Sequence, residues 1–208
     1  MGKLKKNVKM NQKETLKEAR KTLKKIFRKY HNKGMDSIFL WGSIINKDFD
    51  LKSSDVDSIA IVNNKLDLKK EKKIIWELKK ISPEIKNFKI RFVYIDELNN
   101  KGKKGSLTKY ITPEQLIYDM KNWEYVVGIK YSEKSFSLKP NISRIIKTLE
   151  KKIKNMKSKK DEVYKKKAIL RLIYYKEQLG GNNFPYSRNN LINKVKGKNK
   201  FLIQKLIK

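Results

Sequence analysis

The sequence predicts an α/β (α+β) protein: a small mixed β-sheet with helices packed on it, followed by a basic, mostly α-helical C-terminal region. Three observations carry that expectation. Short β-rich apolar runs alternate with helical patterns across residues 11–97, and beyond Pro140 the apolar positions fall at helical spacing alone. A chain of 208 residues is also long enough to bury a core in one or two domains.

Taken in order, Leu16, Ala19, Leu23, Ile26, Phe27 and Tyr30 recur on one face between Asn11 and Lys33, which predicts a basic amphipathic helix stopped by Gly34. His31, the single histidine, falls at its end and reads as a solvated last-turn residue. Ser37–Trp41 is short, apolar and β-rich and ends at Gly42; Val56–Val62 is a second strand closed by Asn63 and Asn64. Helical spacing returns over 67–81 with Leu68, Ile74, Ile75, Leu78 and Ile81, before Pro83, and Lys89–Ile95 is a third strand. Helix, strand, strand, helix, strand in that order describe a small mixed sheet with packed helices.

The glycine- and lysine-rich stretch 99–106 is the expected boundary between a first domain, 1–105, and a second, 106–208. Thr112-Pro113-Glu114-Gln115 has the pattern of a capped helix start, and that helix is expected to run to about Val127 and stop at Gly128. Ile142, Ile145, Ile146, Leu149, Ile153 and Met156 then form one helical stripe. Val163–Leu179 form another helix, ending at Gly180-Gly181, and 187–208 a last one.

The formal net charge of +32 arises from 53 Lys and Arg against 21 Asp and Glu. It predicts a polyanionic partner, RNA above all, because opposite charge concentrates and steers such a partner. Arginine occurs only at 20, 28, 91, 144, 171 and 188 among abundant Lys, Asn and Ile, as AT-rich coding would give. Such coding explains lysine over arginine but not the shortage of acids. The lysine-dense stretch Lys151–Lys167 reads either as a solvated helix surface or as a phosphate-facing one.

Without cysteine, disulfides, thiolate zinc sites and Cys nucleophiles are excluded, and one histidine argues against a histidine-built metal site or a Ser-His-Asp triad. No apolar run approaches the roughly 18–20 residues of a membrane span, and the first ten residues have no apolar signal core. A soluble cytoplasmic protein without a membrane partner is therefore expected.

Asp55 and Asp57 lie two apart, so an extended strand turns both to one face. Carboxylates that close repel each other and stay ionised cheaply only around a cation; hard oxygen donors suit Mg²⁺ completed by waters and phosphates. At Gly42-Ser43 the preceding strand ends. The glycine admits close approach of a ligand, and Ser43 offers an N–H and a hydroxyl to phosphate oxygens. A phosphate grip facing paired carboxylates is the minimum apparatus for phosphoryl or nucleotidyl transfer, where catalysis is mostly positioning and charge neutralisation.

Apolar-Gly-Ser, then positions 44–54, then Asp-apolar-Asp in an apolar strand resembles the signature of the polymerase-β-like nucleotidyltransferase superfamily. Its members include tRNA CCA-adding enzymes, poly(A) polymerases, aminoglycoside nucleotidyltransferases and minimal nucleotidyltransferases of toxin–antitoxin systems. The resemblance spans about Lys24 to Glu97. It implies that Gly42 and Ser43 bind the triphosphate of an NTP, that Asp55 and Asp57 hold two Mg²⁺ ions, and that NMP passes to an acceptor hydroxyl. The charge makes RNA the first-ranked acceptor. A small-molecule enzyme of the aminoglycoside type ranks lower, since a cationic acceptor wants an acidic pocket. The motif also fits a toxin–antitoxin component, or a catalytically weakened member that only binds RNA or DNA.

Such proteins usually carry a third carboxylate on the following strand, which helps bind metal and can serve as general base. Here Arg91 holds that position, and reads either as a phosphate or RNA-backbone contact or as a salt-bridge partner of Asp55 or Asp57. Asp96 and Glu97, at the strand end, would substitute only in a different register. Arg91, Val93 and Ile95 face one side of a regular strand, and Ile90, Phe92, Tyr94 and Asp96 the other. Among the aromatic residues, Tyr174 or Tyr175 is the candidate to stack on a base.

Overall fold

The computed structural model describes residues 11–46, 48–50, 54–85, 87–99, 111–157 and 162–207. The first helix, α1 (Gln12–Tyr30), is opened by a reciprocal cap: the Asn11 side chain accepts from the Glu14 N–H at 2.9 Å, and the Glu14 carboxylate accepts from the Asn11 N–H at 2.8 Å. The single histidine, His31, is exposed in the turn that follows, with its ring stacked on Phe27.

Four strands follow, β1 (Met35–Trp41), β2 (Val56–Val62), β3 (Phe88–Tyr94) and β4 (Glu124–Gly128), in the sheet order β3-β2-β1-β4. β1 runs antiparallel to β2 and β4, whereas β2 and β3 are parallel. A parallel pair needs a crossover, and α2 (Leu68–Ile81) supplies it. Alternation divides the strand residues between two cores. Ile38, Leu40, Val56, Ala60, Ile90 and Phe92 pack against Ala19, Leu23 and Ile26 of α1 and Ile74 and Leu78 of α2. On the other face, Phe39, Ile59, Ile61 and Val93 meet Leu98 of the short α3 (Ile95–Leu98), Leu116 and Ile117 of α4 (Pro113–Asp119), and Met120 and Phe136 beyond it.

The helix expected to reach Val127 ends at Asp119; a tight turn over 120–122 leads into β4 instead. A short apolar run such as Tyr125-Val126-Val127 fits helix or strand by periodicity, and its β-branched pair favours the strand. Gly128 decides the packing: with φ at +96° it lies so close to β1 that a Cβ would sit 2.3 Å from the Asp36 carbonyl oxygen and 2.7 Å from the Ser37 Cα.

Because β4 belongs to the sheet, a boundary at 105 does not separate two cores; residues 113–136 complete the sheet's second face. Of the boundary stretch 99–106, residues 100–106 lie outside the described residues. A second core lies mostly beyond Pro140, where α5 (Ile142–Asn155), α6 (Glu162–Leu179), α7 (Arg188–Lys194) and α8 (Gly197–Ile207) bury Ile145, Leu149, Ile173, Tyr174, Tyr175, Leu191 and Ile203 together with Tyr118 from α4. The tail forms two helices rather than one, with Val195 buried at the break. Among the described residues no helix is long and apolar enough to cross a membrane.

Gly128→Ala should cost more than about 2 kcal/mol of stability, since a methyl group must displace backbone in a strained φ region. Urea unfolding checks this; a midpoint equal to that of the parent protein contradicts the packing described.

Candidate active site

Strand register assembles the site before any ligand is considered. Asp57 lies between Trp41 on β1 and Lys89 on β3, and one step along the same face Ile59 lies between Phe39 and Arg91. Asp57 and Arg91 are thus diagonal neighbours on one surface. Asp55, just before β2, is ion-paired with the Lys89 ammonium. Gly42 opens a tight turn after β1 with φ at +78°, and a Cβ there would meet Asp57 Oδ2 at 3.6 Å. Glycine therefore brings bare backbone to the edge of the carboxylate pair.

Above this surface is a cavity of about 460 Å³, a size typical of small-molecule sites. Trp41, Gly42, Asn46, Asp55, Asp57, Lys89 and Arg91 form its sheet wall, and Ile111, Gln115, Asp119, Asn122 and Trp123 its roof. The helical bundle closes the third side with Leu149, Lys152, Met156, Tyr164, Lys167, Ala168, Arg171 and Tyr186. Roof and bundle are clasped at Asp119, which lies 3.2 Å from Arg171 Nη1 and accepts a hydrogen bond from the Tyr175 hydroxyl at 2.7 Å. The Arg171 guanidinium in turn faces the rings of Trp41 and Tyr186 at 5.7 and 5.5 Å.

Burial pushes the Asp57 carboxyl above the usual carboxylate range; Arg91 opposes the rise, and the neighbouring Asp55 adds to it. Asp119 is also raised by burial, against the pull of Arg171 and the Tyr175 hydrogen bond. Both carboxylates are held where removal from water works against their charge.

The predicted residues Gly42, Asp55, Asp57 and Arg91 converge on this cavity. Ser43 is half-buried in the turn beside it, where its carbonyl accepts from the Asn46 N–H at 3.1 Å. Asp96 does not join them. Because β2 and β3 are parallel, Tyr94 is level with Val62, so Asp96 lies past the far end of β2, roughly 17 Å or more from Asp57 at about 3.3 Å per residue. There it accepts from the Asn64 side-chain amide. Glu97 is buried at the same end and caps the Tyr94 N–H at 3.1 Å.

The ion-pair reading of Arg91 gives way too. Asp55 is taken by Lys89, and Arg91 acts on Asp57 through charge, while its own Nε is buried without a hydrogen-bond partner among the described residues. Tyr174 and Tyr175 cannot stack on a base: at 1% and 0% exposure they pack with Tyr118, Phe184 and Tyr186 inside the bundle. From the lysine-dense stretch, Lys152 and Lys167 reach the cavity, while Lys151 and Lys154 are exposed and 158–161 lie outside the described residues.

Sequence reading misses Trp41, Lys89, Asp119, Trp123 and Arg171 as site residues. Only Lys89 is within reach of it, since it shares its strand face with Arg91. Among the described residues no cluster of three or more His, Cys, Asp and Glu could cage a metal. Asp55 and Asp57 fit Mg²⁺ in its other manner, one or two carboxylates with substrate phosphates and waters completing the shell.

A folded-state pKa above the unfolded value means that the fold favours protonated Asp57, so this group adds stability at acid pH that is lost as pH rises through its folded pKa. Asp57→Asn should therefore raise the melting temperature of the ligand-free protein at pH 7. The gain should fade as pH falls below about 4, the ordinary carboxylate value. A melting temperature lowered at pH 7 would contradict the burial described.

No protein family and no curated protein matches the chain in sequence. Among solved structures, spectinomycin adenyltransferase AAD(9) from Enterococcus faecialis, determined with ATP and spectinomycin, superposes with a TM-score of 0.56 at 16% identity. The match covers 92% of this chain and 88% of that one, so the likeness extends through both the sheet and the helical bundle. The chain has the nucleotidyltransferase-like fold of that enzyme.

Proposed function

We propose that the protein is a Mg²⁺-dependent nucleotidyltransferase that binds an NTP in the cavity between sheet and bundle and passes its NMP to an acceptor. The observation that carries this reading is the meeting of Gly42, Asp55 and Asp57 at one cavity wall, with Lys152 and Lys167 opposite. The shared fold supports it, as does the presence of ATP in the structural neighbour. Backbone at Gly42 and Ser43 takes triphosphate oxygens, and the lysines of the bundle wall offset their charge. Asp55 and Asp57 would hold Mg²⁺, which when bound supplies neutralisation of the triphosphate and of the leaving pyrophosphate. Lys89 must release Asp55 for that purpose, and its four-carbon stem allows the head group to swing toward the phosphates.

A cavity of this size fits a mononucleotide with a small acceptor better than a polymer end. RNA as acceptor is a second reading, supported by a cationic groove outside the cavity, where Lys17, Arg20, Lys21, Lys24, Lys25 and Arg28 line α1. It predicts that labelled product runs with RNA and that its yield falls steeply with salt.

With Mg²⁺ and ATP labelled at the α-phosphate, pyrophosphate release is expected, and Asp57→Ala should lower it by at least about 100-fold. Gly42→Ala should weaken ATP binding and, with φ at +78°, cost about 1 kcal/mol of stability without unfolding the protein, because its Cβ meets only the Asp57 side chain. Release that is equal in the parent and Asp57→Ala proteins would overturn the proposal.

A further inference from the structure

We infer that the acceptor is a small phosphate monoester whose own anionic oxygen is the nucleophile, so that transfer forms a phosphoanhydride. This rests on the nucleotidyltransferase reading above and names its acceptor class. The first observation concerns bases. Among the described residues lining the cavity there is no histidine. Asp55 and Asp57 are both committed to the metal in the proposed reaction, Asp55 after its release by Lys89, and Asp119 is engaged by Arg171 and Tyr175. A hydroxyl acceptor would need a group to take its proton, and none of these carboxylates stands open for that task.

The second observation concerns donors. Arg91 Nε, Trp41 Nε1 and Trp123 Nε1 are buried, have no hydrogen-bond partner among the described residues, and belong to residues lining this one cavity. Trp41 and Trp123 stand edge to face with ring centroids 6.4 Å apart. Buried N–H groups left unpaired are costly, and a small side-chain shift that opens them to the cavity would let the acceptor oxygens of a ligand pair them. The third observation concerns charge: five cations, Lys89, Arg91, Lys152, Lys167 and Arg171, line the cavity against three carboxylates. An acceptor carrying ammonium groups meets like charge there, whereas a phosphate dianion meets Arg91 beside the reacting centre.

The chemistry balances without a base. A non-bridging oxygen of the acceptor phosphate, already deprotonated near neutral pH, attacks the α-phosphorus of the NTP. The bond from that phosphorus to the oxygen bridging the α- and β-phosphates breaks, and pyrophosphate leaves with the electron pair. The product is an NMP joined to the acceptor through a new P–O–P linkage, and no proton moves.

The test uses the full chain loaded with Mg²⁺ and α,β-methylene-ATP, which occupies the nucleotide site without reacting. Inorganic phosphate is then titrated as the acceptor probe, read by calorimetry and by the fluorescence of the cavity tryptophans. Phosphate should bind the loaded protein, and Arg91→Gln should weaken it by at least about tenfold, the scale of one charge-assisted contact. Arg91→Lys should recover most of that loss, and both variants should keep nucleotide affinity within about twofold and the parent melting temperature. Three results overturn the inference: no phosphate binding by the loaded protein, equal binding by Arg91→Gln, or a parallel loss of nucleotide affinity, which would put Arg91 on the nucleotide's own phosphates. If the parent protein takes up no α,β-methylene-ATP, the nucleotidyltransferase reading fails first and the acceptor assignment falls with it.

Discussion

The ion pair between Asp119 and Arg171 is the contact on which the site's shape depends. Asp119 is the last residue of the helix that roofs the sheet, and Arg171 belongs to the long helix of the bundle, so their pairing fixes one layer against the other. Tyr175 completes the carboxylate's hydrogen bonds, while the guanidinium lies against Trp41 at the end of the first strand. Breaking one side of such a pair leaves an uncompensated charge and typically costs about 3–5 kcal/mol. Lesser bonds follow the same seam: Arg144 meets Glu114 at 2.6 Å, the Tyr118 hydroxyl reaches Gln178 at 3.2 Å, and the Asn46 amide donates to the Tyr186 carbonyl at 3.1 Å. The cavity is the space left where these bonds hold the bundle off the sheet.

Its electrostatics differ from those of the molecule as a whole. The overall excess of lysine favours any polyanion, but the cavity is more selective, since it places carboxylates, cations and unpaired N–H donors within one small volume. Asp57 sits at the centre of that arrangement, with Gly42 against it, Lys89 level with it and Arg91 on the diagonal. Asp55 and Asp57 would hold a cation there, which would supply charge neutralisation to substrate phosphates, while the surrounding cations favour those same phosphates.

Much of this is legible in the chain, and the exceptions have physical causes. The strand Val56–Val62 and the helical stripe of α1 stand where periodicity puts them, because each buries one continuous face. The fourth strand reads as helix in the sequence, because a run as short as Tyr125-Val126-Val127 has no period of its own and acquires its identity from β1. The nearness of Asp55 to Asp57, and the turn at Gly42, follow from spacing alone. Asp119, Trp123 and Arg171 do not, because what joins them to the site is the docking of two layers far apart in sequence. Asp96 misleads for a related reason: the parallel pairing of β2 with β3 sends the end of β3 away from the aspartates. Arg91 falls on the strand face that alternation assigns it, but only the neighbouring pair of Lys89 with Asp55 shows why it is left without that carboxylate.

Diffraction from crystals grown with Mn²⁺ in place of Mg²⁺ and a non-cleavable ATP analogue would place metal and nucleotide directly. Anomalous signal is expected between Asp55 and Asp57, with the triphosphate on the Gly42 turn and Lys89 displaced from Asp55. Signal elsewhere, or nucleotide bound outside the cavity, for example along the basic groove of α1, would contradict the account.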